Sequence, residues 1–456
     1  MPQRTTIHHL PDDLLARCLA PLPQEDRFTS AALVSKLFHA AAARPERLSL
    51  RIDDVSGTAA ALRRLRALQP WLLSHGASLQ ELELCCQLWG AEAASLLDGC
   101  LLAVTGGSNG SLLRLQLNSS IDGANFSLSG WASLRCPRQL TVRVPGKLQL
   151  FISLEGACQL RRLELAARGY EVGGAARLPP SLTKLVCRYS TMWAVPKSSG
   201  NLHDLQVGNL SCLRSLTLGG FGTGEDGPVG ADGPLGGLSA LHALQHLALV
   251  ECRHASWLPA AAPHLTSLQV LEIEHAAWSQ VADSVQASLQ LLPQLRGLWL
   301  NAEFDGPEVF SAAAASLSSL QWLCLLSRDG ELRLPGGPWQ RSLCRLVLGP
   351  EVAAASVPFL QGLARLQHVT LPWPPSMTGA GQRHWRAFFD WAAHHPSLRR
   401  LDWLPEQEGF AYEFSMSPAA ANAMVQLARM RPELQAECVE DTREQEPIFK
   451  VLAEWA

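Results

Sequence analysis

The apolar residues of the chain fall into a recurring figure, LxxLxL, in which one leucine is followed by two more on alternate positions. It stands at Leu79-Leu82-Leu84, Leu112-Leu115-Leu117, Leu160-Leu163-Leu165, Leu182-Leu185-Cys187, Leu213-Leu216-Leu218, Leu244-Leu247-Leu249, Leu268-Leu271-Ile273, Leu295-Leu298-Leu300, Leu320-Leu323-Leu325, Leu343-Leu346-Leu348, Leu366-Val369-Leu371 and Leu398-Leu401-Trp403. Alternation has the period of a strand, so each figure predicts a short strand with leucines on one face and the residues between them on the other. Successive figures begin 33, 48, 22, 31, 31, 24, 27, 25, 23, 23 and 32 residues apart. The step of 48 is twice the ordinary one, and residues 137–142 (PRQLTV) divide it into 25 and 23. Upstream, residues 45–50 place Leu48 and Leu50 in the same positions and begin 34 residues before Leu79, which makes about fourteen units.

One such unit cannot bury its own leucines, but stacked units can, with strands paired in parallel about 4.8 Å apart. Between the strands, residues 91–104, 281–292, 309–317, 357–364 and 384–393 carry helix formers or helix-spaced apolar residues and predict helical returns. Over roughly residues 45–404 this pattern resembles the leucine-rich-repeat family. The resemblance implies an α/β solenoid, a curved parallel sheet backed by helices and irregular turns, over residues 45–414. Residues 219–237, rich in glycine and proline, interrupt the rhythm and predict a loop insertion. Ser417 before Pro418 predicts a helix start running to about Met430, and a second helical stretch at 446–455 completes a helical cap over residues 415–456.

The rhythm does not extend into residues 1–44. There Pro11 opens a predicted helix whose Leu14, Leu15, Cys18, Leu19 and Leu22 crowd one face, Pro21 and Pro23 end it, and a second helix is expected over residues 24–42. So short a segment buries little, which leaves its apolar face for a partner. The runs LPDDLL (residues 10–15) and LVSKLF (33–38) resemble the F-box motif. That resemblance implies a small all-α domain docking on the small adaptor subunit of an SCF-type cullin–RING ubiquitin ligase, and through it on the cullin. It places the adaptor-facing positions on Leu10, Pro11, Leu14, Leu15, Leu19, Leu22, Val34, Lys36 and Phe38.

Composition supports the repeat reading and narrows the partners. Leucine occurs 80 times in 456 residues, against 3 tyrosines and 6 methionines, so it is used as a rule and not as filler. With 38 basic and 41 acidic residues the chain has no global field to hold nucleic acid or an anionic membrane. No apolar run is long enough to span a bilayer, the first ten residues lack an apolar signal core, and none of the 12 cysteines forms a CxxC pair. An intracellular protein of the cytoplasm or nucleus is expected, with no nucleic acid and no membrane among its partners.

Candidate chemistry is sparse. Gly222, Gly224 and Gly227 spell a formal GxGxxG, but Pro228 follows where a nucleotide fold needs a helix, so the segment reads as loop. His242 and His246 have an i, i+4 spacing, yet His246 falls on a predicted strand, where that spacing does not align two rings on a metal. His394 and His395 read as the end of a helix. No catalytic residues, metal or cofactor are assigned. The strand register instead assigns an outward, concave face: Arg114, Arg143, Arg162, Lys184 and Arg188, then Glu272 and Glu274, then Trp299 and Trp322, then Arg345, His368 and Arg400. Exposed tryptophan favours binding centres, which makes Trp299 and Trp322 the preferred anchors unless they pack on each other or on the tail.

The expected function is therefore a non-catalytic substrate receptor of an SCF-type ligase, in which the F-box holds the adaptor and the repeats bind an unknown protein to be ubiquitinated. The alternative is an interaction scaffold for a cytoskeletal or signalling complex whose helices merely cap the repeats.

Overall fold

The computed structural model describes residues 47–438 except 54–57, 77–78, 88–90, 108–111, 120–125, 128–136, 145–146, 151–153, 168, 173–176, 190–206, 220–236, 252–254, 304–315, 328–335, 350–358, 361, 373–378 and 405–417. The F-box-like positions Leu10 to Phe38, the body of the glycine-rich insertion and the stretch 446–455 lie outside the described residues. The described residues divide between two compact units. The first runs to Ser215 and takes in residues 237–241; the second takes 216–219 and His242 onward.

In the first unit the strands are β1 (Arg47–Asp53), β2 (Glu81–Gln87), β3 (Arg114–Ser119), β4 (Phe126–Ser127), β5 (Gln139–Arg143), β6 (Lys147–Leu150), β7 (Arg162–Ala167), β8 (Gly169–Val172) and β9 (Lys184–Tyr189). They form two parallel sheets, one ordered β1-β2-β3-β5-β7-β9 in this unit and the other β4-β6-β8. The register of the larger ladder aligns the leucine figures: Leu48, Leu82, Leu115, Leu140, Leu163 and Leu185 face one another in turn. All six are buried. Residues 45–50 and 137–142, found by spacing alone, supply β1 and β5 to this ladder.

The second unit holds four residues of β10 (Ser215–Gly219), then β11 (His246–Val250), β12 (Val270–Ala277), β13 (Gly297–Glu303), β14 (Trp322–Ser327), β15 (Arg345–Leu348), β16 (His368–Pro372), β17 (Arg400–Leu404) and β18 (Gln435–Cys438), paired in parallel in that order. Leu247, Leu271, Leu298, Leu323, Leu346, Val369 and Leu401 form its inner column. β18 corrects an expectation. Its sequence QAEC carries no leucine in the ladder positions, and residues 415–456 read as helical, yet Ala436 aligns with Leu401 and Cys438 with Trp403. β18 is the last strand among the described residues, and its Ala436 is exposed.

Each ladder is tied by one repeated backbone device. The carbonyl two residues before each inner leucine accepts two successive N–H groups of the next turn; Arg138 O, for example, binds Arg161 N at 2.8 Å and Arg162 N at 3.0 Å. The leading leucine of the figure closes the turn before it, as in Leu160 N to Ala157 O and Leu295 N to Leu292 O. These leucines thus satisfy a backbone donor and fill the core together.

Returns differ with unit length. The 34 residues from Leu48 to Leu82 and the 33 from Leu82 to Leu115 leave room for α1 (Thr58–His75) and α2 (Ala91–Gly107). The 22–25-residue steps that follow, for which no helical return was expected, return through β4, β6 and β8, which form a second sheet. Tyr170 on β8 joins the two layers, its hydroxyl within hydrogen-bond distance of the carbonyls of Leu165 (2.9 Å) and Arg188 (2.7 Å). In the second unit the return helices are the short α3 (Leu258–Ala261), then α4 (Trp278–Gln290), α5 (Gly379–His394) and α6 (Pro418–Met430). The helices expected at 281–292, 384–393 and from Pro418 to Met430 are α4, α5 and α6; most of 309–317 lies outside the described residues.

Candidate functional site

The residues between the inner leucines make up the opposite, outward strand face, and every residue proposed from the register lies on it. In the first unit three carboxylates missed by the sequence reading stand among the cations. Glu81 lies 3.3 Å from Arg47 Nε and 4.0 Å from Arg114 Nη1. Glu83 accepts from Ser49 Oγ at 3.0 Å and Gln116 Nε2 at 3.1 Å. Glu164 accepts from Arg143 Nη2 at 2.7 Å and Arg162 Nη2 at 3.2 Å. Burial pushes the Glu164 carboxyl up, but the hydrogen bonds and charges of Arg143 and Arg162 outweigh it and hold it below the usual carboxylate value. These glutamates were legible in principle, since strand parity puts them on the same outward face as the arginines.

Around Glu164 the register is explicit. Gln139, Arg162 and Lys184 form one row across β5, β7 and β9; Thr141, Glu164 and Val186 form the next; Arg143, Ala166 and Arg188 form the third. Four cations thus surround one carboxylate, with the small Ala166 between Arg143 and Arg188. Arg188 is exposed.

The second unit is different in kind. Trp299 and Trp322 do pack on each other, ring centroids 5.7 Å apart and planes tilted by 42°. Trp322 is only 6% exposed and joins Cys324 and Val347 in a buried cluster on the outward face, with Trp299 and Leu326 partly buried against it. Of the two readings, partner anchors or rings packed on each other, the packing of the rings is what is observed, with Trp322 buried. Gly297 permits this, because a Cβ there would meet Trp322 Cε3 at 3.1 Å and Val270 Cγ2 at 3.2 Å. Trp299 Nε1 is buried and has no hydrogen-bond partner among the described residues.

Flanking this cluster on β16 and β17 is a polar network. The fully buried Asp402 accepts from Arg400 Nε at 2.9 and 3.0 Å and meets His368 Nε2 at 2.7 Å, while Thr370 Oγ1 lies 3.4 Å from the same nitrogen. Asp402 and Thr370 share Nε2, so the three do not form a hydroxyl–imidazole–carboxylate relay, in which opposite ring nitrogens face the two partners. Burial lowers the His368 imidazole; the Asp402 hydrogen bond opposes this, and the charges of Arg345 and Arg400 add to it, leaving the value below that of an ordinary histidine. Burial pushes Asp402 up, and its hydrogen bonds to His368 and Arg400 pull it below the ordinary carboxylate value. On the other flank Glu272 Oε2 lies 3.2 Å from His246 Nε2, and Glu274 follows on the same strand. His242 faces the carbonyl of His264 at 3.1 Å instead of a metal, and among the described residues no His, Cys, Asp or Glu cluster could hold one.

Both units have the leucine-rich-repeat architecture. No protein-family model matches the chain, and no curated protein does. Among solved structures it is similar to a chain of the crystal structure of the TLR13–ssRNA13 complex, at a TM-score of 0.33 and 12% identity. That match covers 80% of this chain, which spans 65% of the length of the other. The repeat assignment rests on strand order and register. Among the described residues no helix is long and apolar enough to cross a membrane.

Proposed function

We propose that this chain is the non-catalytic substrate-receptor subunit of an SCF-type cullin–RING E3 ubiquitin ligase. The observation that carries the reading is one of order: LPDDLL and LVSKLF stand in residues 10–38, directly before the repeat ladder that begins at Arg47. On this reading Leu10, Pro11, Leu14, Leu15, Leu19, Leu22, Val34, Lys36 and Phe38 hold the adaptor, and the outward strand faces receive the protein to be ubiquitinated. The protein works inside the cell, without metal or cofactor and without chemistry of its own. Its contribution is proximity, raising the effective concentration of a target lysine near the charged ubiquitin carrier.

The test is direct. Purified chain mixed with the ligase adaptor forms a complex that elutes as one peak, and Leu14→Asp with Leu15→Asp abolishes it, because two charges enter an apolar contact. Failure of the intact chain to bind the adaptor leaves an interaction scaffold as the function.

A further inference from the structure

We propose that the outward strand face of the first unit is a docking surface for an acidic, carboxylate-rich protein segment, bound across the strands and centred on the Arg143–Ala166–Arg188 row. The proposal names the substrate class for the receptor reading above and rests on it only for calling the bound segment a substrate.

Charge complementarity carries it. Among outward positions with described side chains on β1, β2, β3, β5, β7 and β9, the cations are Arg47, Arg51, Arg114, Arg143, Arg162, Lys184 and Arg188, and the acids are Glu81, Glu83 and Glu164. Seven against three leaves a surplus of four positive charges on one face of a protein whose overall charge is −3. The second unit runs the other way: among its described outward side chains Arg345 and Arg400 stand against Glu272, Glu274 and Asp402, its two outward histidines apart. The surplus is therefore local to the first unit, where steering of an anionic partner is strongest.

The arrangement of the cations selects among anions. A compact phosphate needs donors that converge on one point, and here the cations are spread over rows, with Arg143 and Arg188 two strand steps, or about 10 Å, apart. Glu164, held ionised between Arg143 and Arg162, stands in the middle and repels a dianion placed there. Separate carboxylates suit such an array, one reaching Arg188 and Lys184 and others reaching the Arg114 side, with Ala166 leaving room for the segment's backbone. Crossing six strands takes about 24 Å, the length of about seven extended residues. Single-stranded nucleic acid fits less well, because none of the outward side chains in this register is aromatic and none offers a base a stacking platform. Glu81, Glu83 and Glu164 would also lie under its closely spaced phosphates.

Fluorescence anisotropy on the full-length protein decides it. The probes are a labelled peptide of about twelve residues alternating glutamate with glycine or serine, its glutamine counterpart, the same peptide with a single phosphoserine in place of its glutamates, and an oligouridine of matched charge. The glutamate peptide should bind, and the glutamine peptide should not. Binding should weaken about tenfold with Arg143→Gln plus Arg188→Gln, and stay unchanged with Arg429→Gln, an exposed arginine of the second unit. Arg188→Gln alone, at an exposed side chain, should give a smaller loss without shifting the melting temperature, which separates docking from folding. Glu164→Gln, which removes the central negative charge and keeps the shape, should tighten binding severalfold. Equal binding of the two peptides, affinity unmoved by Arg188→Gln and Glu164→Gln, stronger binding of the phosphoserine peptide or the oligouridine, or no binding of the glutamate peptide would each overturn the proposal. No adaptor is present in this assay, so a failed adaptor interaction would leave its outcome standing.

Discussion

Gly297 shows how one residue sets the character of a strand face. It aligns between Val270 and Trp322 in the ladder, and the indole of Trp322 occupies the space a side chain would fill. Gly297→Ala should therefore destabilise the protein by about 1–3 kcal/mol, read as a lower urea midpoint, because the ring and Val270 must both give way. His368 offers a second test at this scale. Its imidazole is held below 6.5 in the fold, facing Asp402, Thr370, Arg400 and Arg345, so the unfolded chain binds a proton more readily than the folded one. Stability then rises with pH from the held-down value to about 6.5 and levels off above it. His395, which faces the Leu363 carbonyl at 2.9 Å and is also held low by burial, acts in the same direction. Asp402 and Glu164 add a separate loss at lower pH, as their carboxylates are titrated. Melting temperatures from about pH 7.5 to 5.5 should fall for the native chain, and the fall should be smaller for His368→Gln, which has no proton to gain.

At the scale of elements, unit length decides what closes the back of each turn. Long steps hold α1, α2 and α5, and the short steps between Leu115 and Leu185 hold strands. The spacings were readable, but a return of so few residues cannot complete the three turns of an average helix, and pairing with its neighbours satisfies its backbone instead. The last return depends on Arg431. Its guanidinium donates to the carbonyls of His395 (2.8 Å), Ala392 (3.3 Å) and Leu398 (2.8 Å), tying the segment after α6 to the end of α5. Arg431→Met keeps the stem and removes those donors. The expected cost is about 2–4 kcal/mol, with faster amide exchange in α6 and β18 and unchanged exchange in β11 to β14.

At the scale of the whole chain, adaptor docking is proposed on residues 10–38 and segment docking on β5 to β9. The two should be separable: Leu14→Asp with Leu15→Asp should abolish adaptor binding and leave affinity for the glutamate peptide intact, as read by elution and anisotropy on one preparation. The pattern of leucines dictates the ladder, because alternation at a period of 22 to 34 residues has one economical burial, in stacked parallel strands. It also determined which residues point outward, Arg143, Trp299 and His368 among them, since that follows from strand parity alone. What those residues do there depends on their neighbours in space. Glu164 neutralises two arginines from its own and the neighbouring strand, Trp322 is buried over a glycine 25 residues upstream, and Ala436 aligns with Leu401 in a strand that no leucine marks. Each of those outcomes depends on which strands become neighbours, and neighbours in a repeat are brought together by packing across a whole unit of chain, beyond the reach of any local pattern.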